Sequence, residues 1–189
     1  MWWARLLNLI AAIHGVGTPA STNSYESIAT VTGTGSSGTI SFTSIPSNYK
    51  HLQLRFMASC SGTGGIENPW LRFNNDSTTL YSAHRLYGSG AAASADAFTT
   101  VAQIRAGFVN DSSNVDIMGV AVIDVLEYAN TNINKTVRIL SGTDRNGDGF
   151  VTLSSGNWRS TSAINRIDLI VNGLNWTTDS TFALYGIKG

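Results

Sequence analysis

The sequence predicts an all-β fold, an antiparallel β-sandwich of jelly-roll type preceded by a short N-terminal amphipathic helix. Three observations predict it: one apolar ten-residue stretch typical of a central strand, about ten short segments separated by Gly, Asn and Ser, and an opening stretch with apolar side chains at helical spacing. A length of 189 residues suits one core. We therefore divide the chain into an anchor helix and linker, residues 1–24, and a sandwich domain, residues 25–189.

The central strand is predicted at residues 117–126, which read IMGVAVIDVL. Apolar residues fall on both sides of this stretch when it is extended, and Asp124 is its only charge. A strand that is apolar on both faces is expected to be buried on both. The pattern therefore predicts a strand in the middle of a packed β-structure, with its neighbours pairing on either side.

Shorter strands are predicted on both sides of the central one, because apolar and polar residues alternate or β-branched residues cluster there. One helical turn is expected at residues 160–164, where Ser160 would cap it. The predicted strands are residues 25–31, 39–42, 52–56, 70–73, 81–87, 99–104, 136–140, 149–153, 167–171 and 182–187.

The first fourteen residues, MWWARLLNLIAAIH, differ from the rest of the chain. Gly15 follows where a helix would end, and a signal peptide is disfavoured because the charged segment that should precede its apolar core is missing. Burying the apolar side chains would contribute roughly 10 kcal/mol or more before entropy costs. We expect a partner to cover them; the alternative is that the helix folds back onto its own domain. The expected anchor residues are Trp2, Trp3, Leu6, Leu7, Leu9, Ile10 and Ile13.

Composition excludes several classes of partner. Twelve basic residues balance twelve acidic ones without a run of either sign, so no electrostatic surface for nucleic acid or anionic membrane is expected. The longest apolar stretch is shorter than the 18 or so residues that a membrane span requires. Cys60 is the only cysteine, so no internal disulfide can form.

A glycine pattern at residues 33–38, GTGSSG, matches that of dinucleotide-binding loops. The match fails on context, because such a loop must open a helix whose amides meet the phosphates, whereas Thr39 to Phe42 alternates as a strand. We therefore predict a glycine-rich hairpin and no bound cofactor.

Asp144, Asn146 and Asp148 reproduce the first half of a calcium-binding loop. The twelfth position is Ser155 where such loops carry Glu, and the flanking segments are predicted strands. A tight turn between two strands explains the same residues, so no metal site is predicted, with a bound cation as the alternative.

No catalytic residues are predicted, and we expect the protein not to be an enzyme. His14, His51 and His84 stand too far apart for zinc-ligand spacing, and Asp124 and Glu127 fall on opposite faces of an extended strand. Several aromatic residues could stack on sugar rings or pack the core, and packing is favoured. They are Trp70, Trp158, Trp176, Tyr81, Tyr87 and Tyr128.

Six segments together resemble a family of tailed-bacteriophage virion proteins often met in phages of aquatic bacteria. The resemblance spans residues 25–189, ends on LYGIKG, and leaves the N-terminal helix outside it. It implies a β-sandwich on the virion and brings no catalytic residues. The segments are residues 25–30, 42–46, 71–76, 128–131 with 135–136, 155–164 and 184–189.

The resemblance implies a phage virion structural protein. We expect a capsid decoration, or cement, protein on the capsid surface, attached through its N-terminal apolar segment to the major capsid protein or another virion protein. A homo-oligomer, most simply a trimer, follows by analogy. The alternative is a tail-fibre or receptor-binding component whose sandwich contacts host-surface glycan; a cluster of exposed Trp and Tyr at one tip would favour it.

Overall fold

The computed structural model describes residues 24–113 and 116–189, and these residues form two β-sheets. The prediction of an all-β fold is confirmed, and neighbouring strands pair antiparallel with one parallel exception. The predicted N-terminal helix and its seven anchor residues lie outside the described part of the chain. No helix that could span a membrane is found within the described ranges.

Fourteen strands are described. Alternating residues form most of them, and two of the predicted ranges, β2 and β5, agree to the residue. The strands are β1 (Tyr25–Thr32), β2 (Thr39–Phe42), β3 (His51–Cys60), β4 (Ile66–Glu67), β5 (Trp70–Phe73), β6 (Tyr81–Gly88), β7 (Ala93–Val101), β8 (Ile104–Arg105), β9 (Val109–Asp111), β10 (Gly119–Leu126), β11 (Lys135–Asp144), β12 (Gly149–Trp158), β13 (Ile167–Ile170) and β14 (Thr181–Ile187).

The two sheets differ in size. The large sheet runs β1-β14-β3-β10-β11-β12-β6-β7, with β9 beside β3 in parallel and β4 beside β9. The small sheet runs β2-β13-β5-β8. Their facing sides share one hydrophobic core, in which Leu54, Ile123 and Leu184 of the large sheet join Leu71 and Leu169 of the small one. The architecture is therefore a β-sandwich.

The central strand is where the sequence predicts it, but the prediction that both its faces are buried is wrong. β10 lies fourth in the large sheet, and Ala121, Ile123 and Val125 point into the core. Val120 and Leu126 point the other way and are 48% and 45% exposed. The small sheet covers only one side of the large sheet. Val120 and Leu126 on the outer face of β10 are therefore exposed, although most residues of that face are apolar.

Two local predictions are also wrong. The glycine-rich stretch 33–38 is not a hairpin, because β1 pairs with β14 in the large sheet while β2 pairs with β13 in the small one. The stretch carries the chain between the sheets and packs so closely that a Cβ on Gly33 would lie 2.0 Å from the Thr177 carbonyl oxygen. Residues 160–164 contain a bend and no helical turn, and the Ile164 amide donates instead to the Tyr128 carbonyl.

Candidate functional site

The side of the large sheet that faces away from the small one carries six exposed aliphatic or thioether side chains, and we call this set the apolar face. Each is between 48 and 60% exposed. They extend over five adjacent strands, from β3 to β6. The residues of the apolar face are Met57, Leu86, Val120, Leu140, Val151 and Leu153.

Strand register brings these side chains together in two rows. Met57 lies opposite Val120, and in the next row Leu140 lies opposite Leu153. Leu153 in turn faces Leu86 on β6. Directly opposite side chains on one face of an antiparallel pair are about 5 Å apart, and diagonal neighbours such as Val120 and Leu140 are about 7–8 Å apart, so the six lie on one surface.

Glycines leave a groove in the first row. Gly142 stands between Val120 and Val151, and Gly88 follows Val151. With the turns at their ends, these strands line a groove of about 620 Å³. A Cβ on Gly142 would meet only the Phe150 carbonyl oxygen at 3.8 Å, so close packing does not require glycine there. The groove is open space beside an apolar surface.

Part of the apolar face results from a local reversal of polarity on β11 and β12, near the turn that joins them. On β11 and β12, Ser141 and Thr152 point inward and are buried, while Leu140 and Leu153 point outward. Within the described part of the chain, the buried hydroxyls of Ser141, Thr143, Thr152 and Ser154 have no hydrogen-bond partner. A monomer that exposes its apolar residues and buries polar ones forgoes hydrophobic stabilisation. The reversal is explained if something covers the outer face.

Covering this surface would release substantial free energy. Full burial of one such side chain is worth about 1.5–3 kcal/mol, so burying the exposed half of six gives roughly 5–9 kcal/mol before entropy costs. Contiguous exposed apolar surfaces of this kind mark interaction sites. The apolar face is accordingly the candidate functional site.

A polar row borders the apolar face on three strands. Asp124 Oδ1 accepts a hydrogen bond from Gln53 Nε2 at 2.7 Å, and its Oδ2 accepts from Arg138 Nη2 at 2.6 Å and Nε at 3.1 Å. Asp124 is only 8% exposed. Both carboxylate oxygens are thus occupied by neighbours on the same sheet, which makes Asp124 a structural group at the margin of the face.

Arg55 links this margin to the start of the described chain. Its guanidinium carbon lies 5.3 Å from the centroid of the Tyr185 ring and 5.8 Å from that of Tyr25. Cations at such distances are attracted to ring faces. Tyr25, the first residue of β1, therefore lies on the same side of the large sheet as the apolar face.

The residues of the possible calcium loop form the turn between β11 and β12, as the hairpin interpretation predicts. Asn146 and Gly147 have positive φ angles of 58° and 108°, as expected for a tight hairpin turn. Asp144 Oδ1 accepts from the Asn146 amide, and Asp148 pairs with Arg145, which lowers the pKa of that carboxyl. In the described residues, no three His, Cys, Asp or Glu side chains group as a metal site.

The aromatic residues that could have bound sugar mostly pack the interior. Tyr81, Tyr128, Trp158 and Trp176 are buried, which confirms the packing interpretation for these four. Trp158 stacks against Tyr81 at 6.1 Å between ring centroids.

The two remaining rings, Trp70 and Tyr87, are partly buried beside arginines. Arg105 lies 4.9 Å from the Trp70 centroid and Arg85 lies 4.4 Å from that of Tyr87. Both guanidinium groups donate to the side chain of Asn68, and burial together with the neighbouring Arg85 charge lowers the pKa of Arg105. The sequence does not predict this cluster, since its members are scattered along the chain and no local pattern joins them.

The single cysteine and the described histidines do not assemble a nucleophilic site. Cys60 is fully buried, and burial raises the pKa of its thiol to about 11. His51 Nδ1 accepts a hydrogen bond from the Glu127 amide at 3.1 Å, and His84 is exposed on β6. These groups have structural explanations.

Comparison with known proteins adds two distant likenesses. No protein-family model matches the chain, and no curated protein is detectably similar. A crystal structure of the Caenorhabditis elegans galectin LEC-6 aligns at 8% identity and a TM-score of 0.35, over 82% of this chain and 94% of the galectin. SCLam, a non-specific endo-β-1,3(4)-glucanase from family GH16, aligns at 10% identity and a TM-score of 0.22, over 75% and 59% of the two chains. At these TM-scores neither likeness bears on function.

Proposed function

We propose that this chain is a non-enzymatic structural protein of a phage virion, a capsid decoration protein that assembles through apolar surfaces. The observation that carries the proposal is the apolar face. Six half-exposed apolar side chains over buried hydroxyls fit a subunit whose surface is completed by a neighbour.

The sequence supplies the second part of the proposal. The seven anchor residues between Trp2 and Ile13 give the chain another apolar surface, which attaches the sandwich to the major capsid protein or another virion protein. The proposed location is the capsid surface. We further propose a homo-oligomer, in which neighbouring copies bury the apolar face of the sandwich. By analogy with proteins that gather about symmetry axes, it is a trimer.

We also infer a jelly-roll path for the sandwich. Three strand pairs are nested in the sequence: β1 with β14, β2 with β13, and β3 with β10. The outer and inner pairs belong to the large sheet and the middle pair to the small one. Nested pairs that alternate between two sheets are what a long hairpin produces when it wraps around a core.

The tail-fibre alternative gains no support from the aromatic residues. Of the six side chains considered for sugar stacking, four are buried and two lie beside arginines. None stands in an exposed cluster with the others. The decoration role is therefore the one we propose.

The test is co-sedimentation of purified protein with phage capsids that lack it. The full chain should sediment with the capsids, and a variant with all seven anchor residues changed to Ser should stay in the supernatant. Circular dichroism of the Ser variant should still show a folded β-protein, because the change lies outside the sandwich. Binding of the full chain only to tail fibres or to glycan would overturn the capsid assignment.

A further inference from the structure

We propose that, in the unassembled subunit, the apolar face is covered by the same chain's N-terminal segment, residues 1–14. This inference goes beyond the virion role and does not depend on it. The sequence by itself allows the segment to meet either a partner or its own domain. The position of the apolar face and the place where the described chain starts favour its own domain.

The two surfaces match in character. The segment has seven apolar side chains at helical spacing, including the indoles of Trp2 and Trp3. The apolar face has six aliphatic or thioether side chains and a groove beside Gly88 and Gly142. The large indole rings of the segment and the groove that the glycines leave in the apolar face are complementary in shape. Each surface lacks a cover among the described residues.

The described chain starts at the edge of the large sheet, where β1 is the outermost strand. Ser24 is held beside the end of β14, where its carbonyl accepts from the Lys188 amide at 3.0 Å. The next residue, Tyr25, places its ring against Arg55 on the outer side of the large sheet. Residues 1–23 are therefore tethered at the edge of the large sheet, next to a ring that lies on its outer side.

The linker is long enough to bring the segment there. Residues 16–24 can span up to about 30 Å when extended. β11, which carries Leu140, lies four strand spacings from β1, roughly 19 Å across the sheet, and Leu140 lies about 13 Å along the strands from the row of Tyr25. The diagonal is roughly 23 Å, within the reach of the linker.

The segment also has a suitable length. A fourteen-residue helix is about 21 Å long, and the four spacings from β3 to β6 total roughly 19 Å. The segment can therefore cross the whole apolar face. A tether this short gives a high effective concentration, which favours the segment's own sheet over that of another copy.

Cross-linking of the full chain tests the proposal directly. Leu6→Cys combined with Leu140→Cys should give an intramolecular product with a short bismaleimide, seen as a monomer whose mass shows both thiols bridged. The native Cys60 does not interfere, because it is fully buried. The control is Leu6→Cys with Leu80→Cys, since Leu80 is exposed before β6 and away from the apolar face. It should give little intramolecular product.

Two outcomes would overturn the proposal. A predominantly intermolecular product would show that a second copy supplies the segment. Equal cross-linking at Leu140 and Leu80 would show that the segment does not select the apolar face. Either result leaves capsid co-sedimentation unaffected, so it is distinguishable from a failure of the proposed virion role.

Limited proteolysis at Arg5 provides an independent readout. If the segment is docked, cleavage by an arginine-specific protease requires its release, so the double variant Leu140→Ser/Leu153→Ser should be cut about tenfold faster than the wild type. Leu80→Ser should be cut at the wild-type rate. Circular dichroism establishes that each variant is folded. Equal rates in all three proteins would contradict docking.

Discussion

Leu140 and Leu153 lie opposite each other on β11 and β12, and both point to solvent. The next pair along the same strands, Ser141 and Thr152, points into the protein. At these two positions the hairpin exposes large apolar side chains and buries small polar ones. This reversal leaves large apolar side chains exposed on the outer side of the large sheet.

The two faces of β11 should respond differently to the same change. Leu140→Ser alters an exposed residue and should change the free energy of unfolding by less than about 1 kcal/mol. Ile139→Ser removes a fully buried side chain and adds a hydroxyl to the core, which should cost about 3–5 kcal/mol. Urea denaturation measures both. A loss from Leu140→Ser as large as that from Ile139→Ser would mean that the two faces of β11 do not differ in burial as the structure has them.

Lys135 should be required for stability, although among the described residues it forms no ion pair with a carboxylate. Its ammonium group is buried and donates to the carbonyls of Asn130, Ile133 and Thr161 at 2.5, 2.8 and 3.1 Å. Lys135→Met leaves these carbonyls without their donor, so we expect a loss of about 2–4 kcal/mol.

The control for this prediction is Lys50→Met. The Lys50 ammonium lies 2.5 Å from Glu127, and its side chain is half exposed, so its removal should cost less than about 1 kcal/mol. Thermal unfolding followed by circular dichroism compares the two variants. Equal losses would show that the buried ammonium is not a stabilising group.

Gly33 should tolerate no side chain. A Cβ at this position would lie 2.0 Å from the Thr177 carbonyl oxygen, so Gly33→Ala should force the crossover loop away from residues 177–180 at a cost of about 2–3 kcal/mol. Gly142→Ala is the matched control, because the nearest atom would be at 3.8 Å. Chemical denaturation should show a clearly lower free energy of unfolding for Gly33→Ala than for Gly142→Ala. A stable Gly33→Ala protein would contradict the close packing of this loop.

Asp76 should contribute to acid sensitivity. Burial raises the pKa of its carboxyl, but hydrogen bonds from Thr78 and Trp158 outweigh this and leave the pKa below the usual 3.8. The pKa of Asp76 is therefore lower in the folded state than in the unfolded state. Ionised Asp76 stabilises the fold at pH values above the unfolded-state pKa, and this stabilisation is lost as the pH falls through the folded-state pKa.

Comparison with Asp76→Asn measures this contribution. The variant should be less stable than the wild type at neutral pH by about 1 kcal/mol, and the difference should shrink toward about pH 2. Asp179→Asn, which alters an exposed carboxylate, serves as the control. A difference that does not depend on pH would assign the effect of Asp76→Asn to packing.

Cys60 should be unreactive in the folded protein. The thiol is fully buried and its pKa is raised to about 11, so little thiolate forms and reagents cannot reach it at neutral pH. Iodoacetamide should label the chain only in denaturant, as mass spectrometry would show. Rapid labelling of the native protein would mean that the β3 end of the core opens readily.

The local sequence pattern was sufficient for most strands. Alternation at residues 52–56 and apolar density at residues 117–126 placed β3 and β10 correctly, because each pattern depends only on which neighbours along the chain are apolar. The Asn146-Gly147 turn was predicted for the same reason, since positive φ angles at two successive positions favour these residues.

Features that depend on residues distant in sequence were not predictable. Whether Gly33 to Gly38 joins strands of one sheet or of two depends on the pairing of β1 with β14, which is 149 or more residues away. The Arg85 and Arg105 cluster with Asn68 depends likewise on three separate strands or loops. No short window of sequence contains that information.

The sequence by itself determined the class of the fold, the positions of most strands and the apolar character of its first fourteen residues, since periodicity and composition are properties of neighbouring residues. Only the tertiary structure decided which side of each strand is covered. Val151 and Leu153 have the same period of two as core residues, and they are exposed because the small sheet lies against the other side of the large one. An alternating pattern shows that the two faces of a strand differ in polarity. Which face becomes the interior is decided by the side on which the small sheet packs.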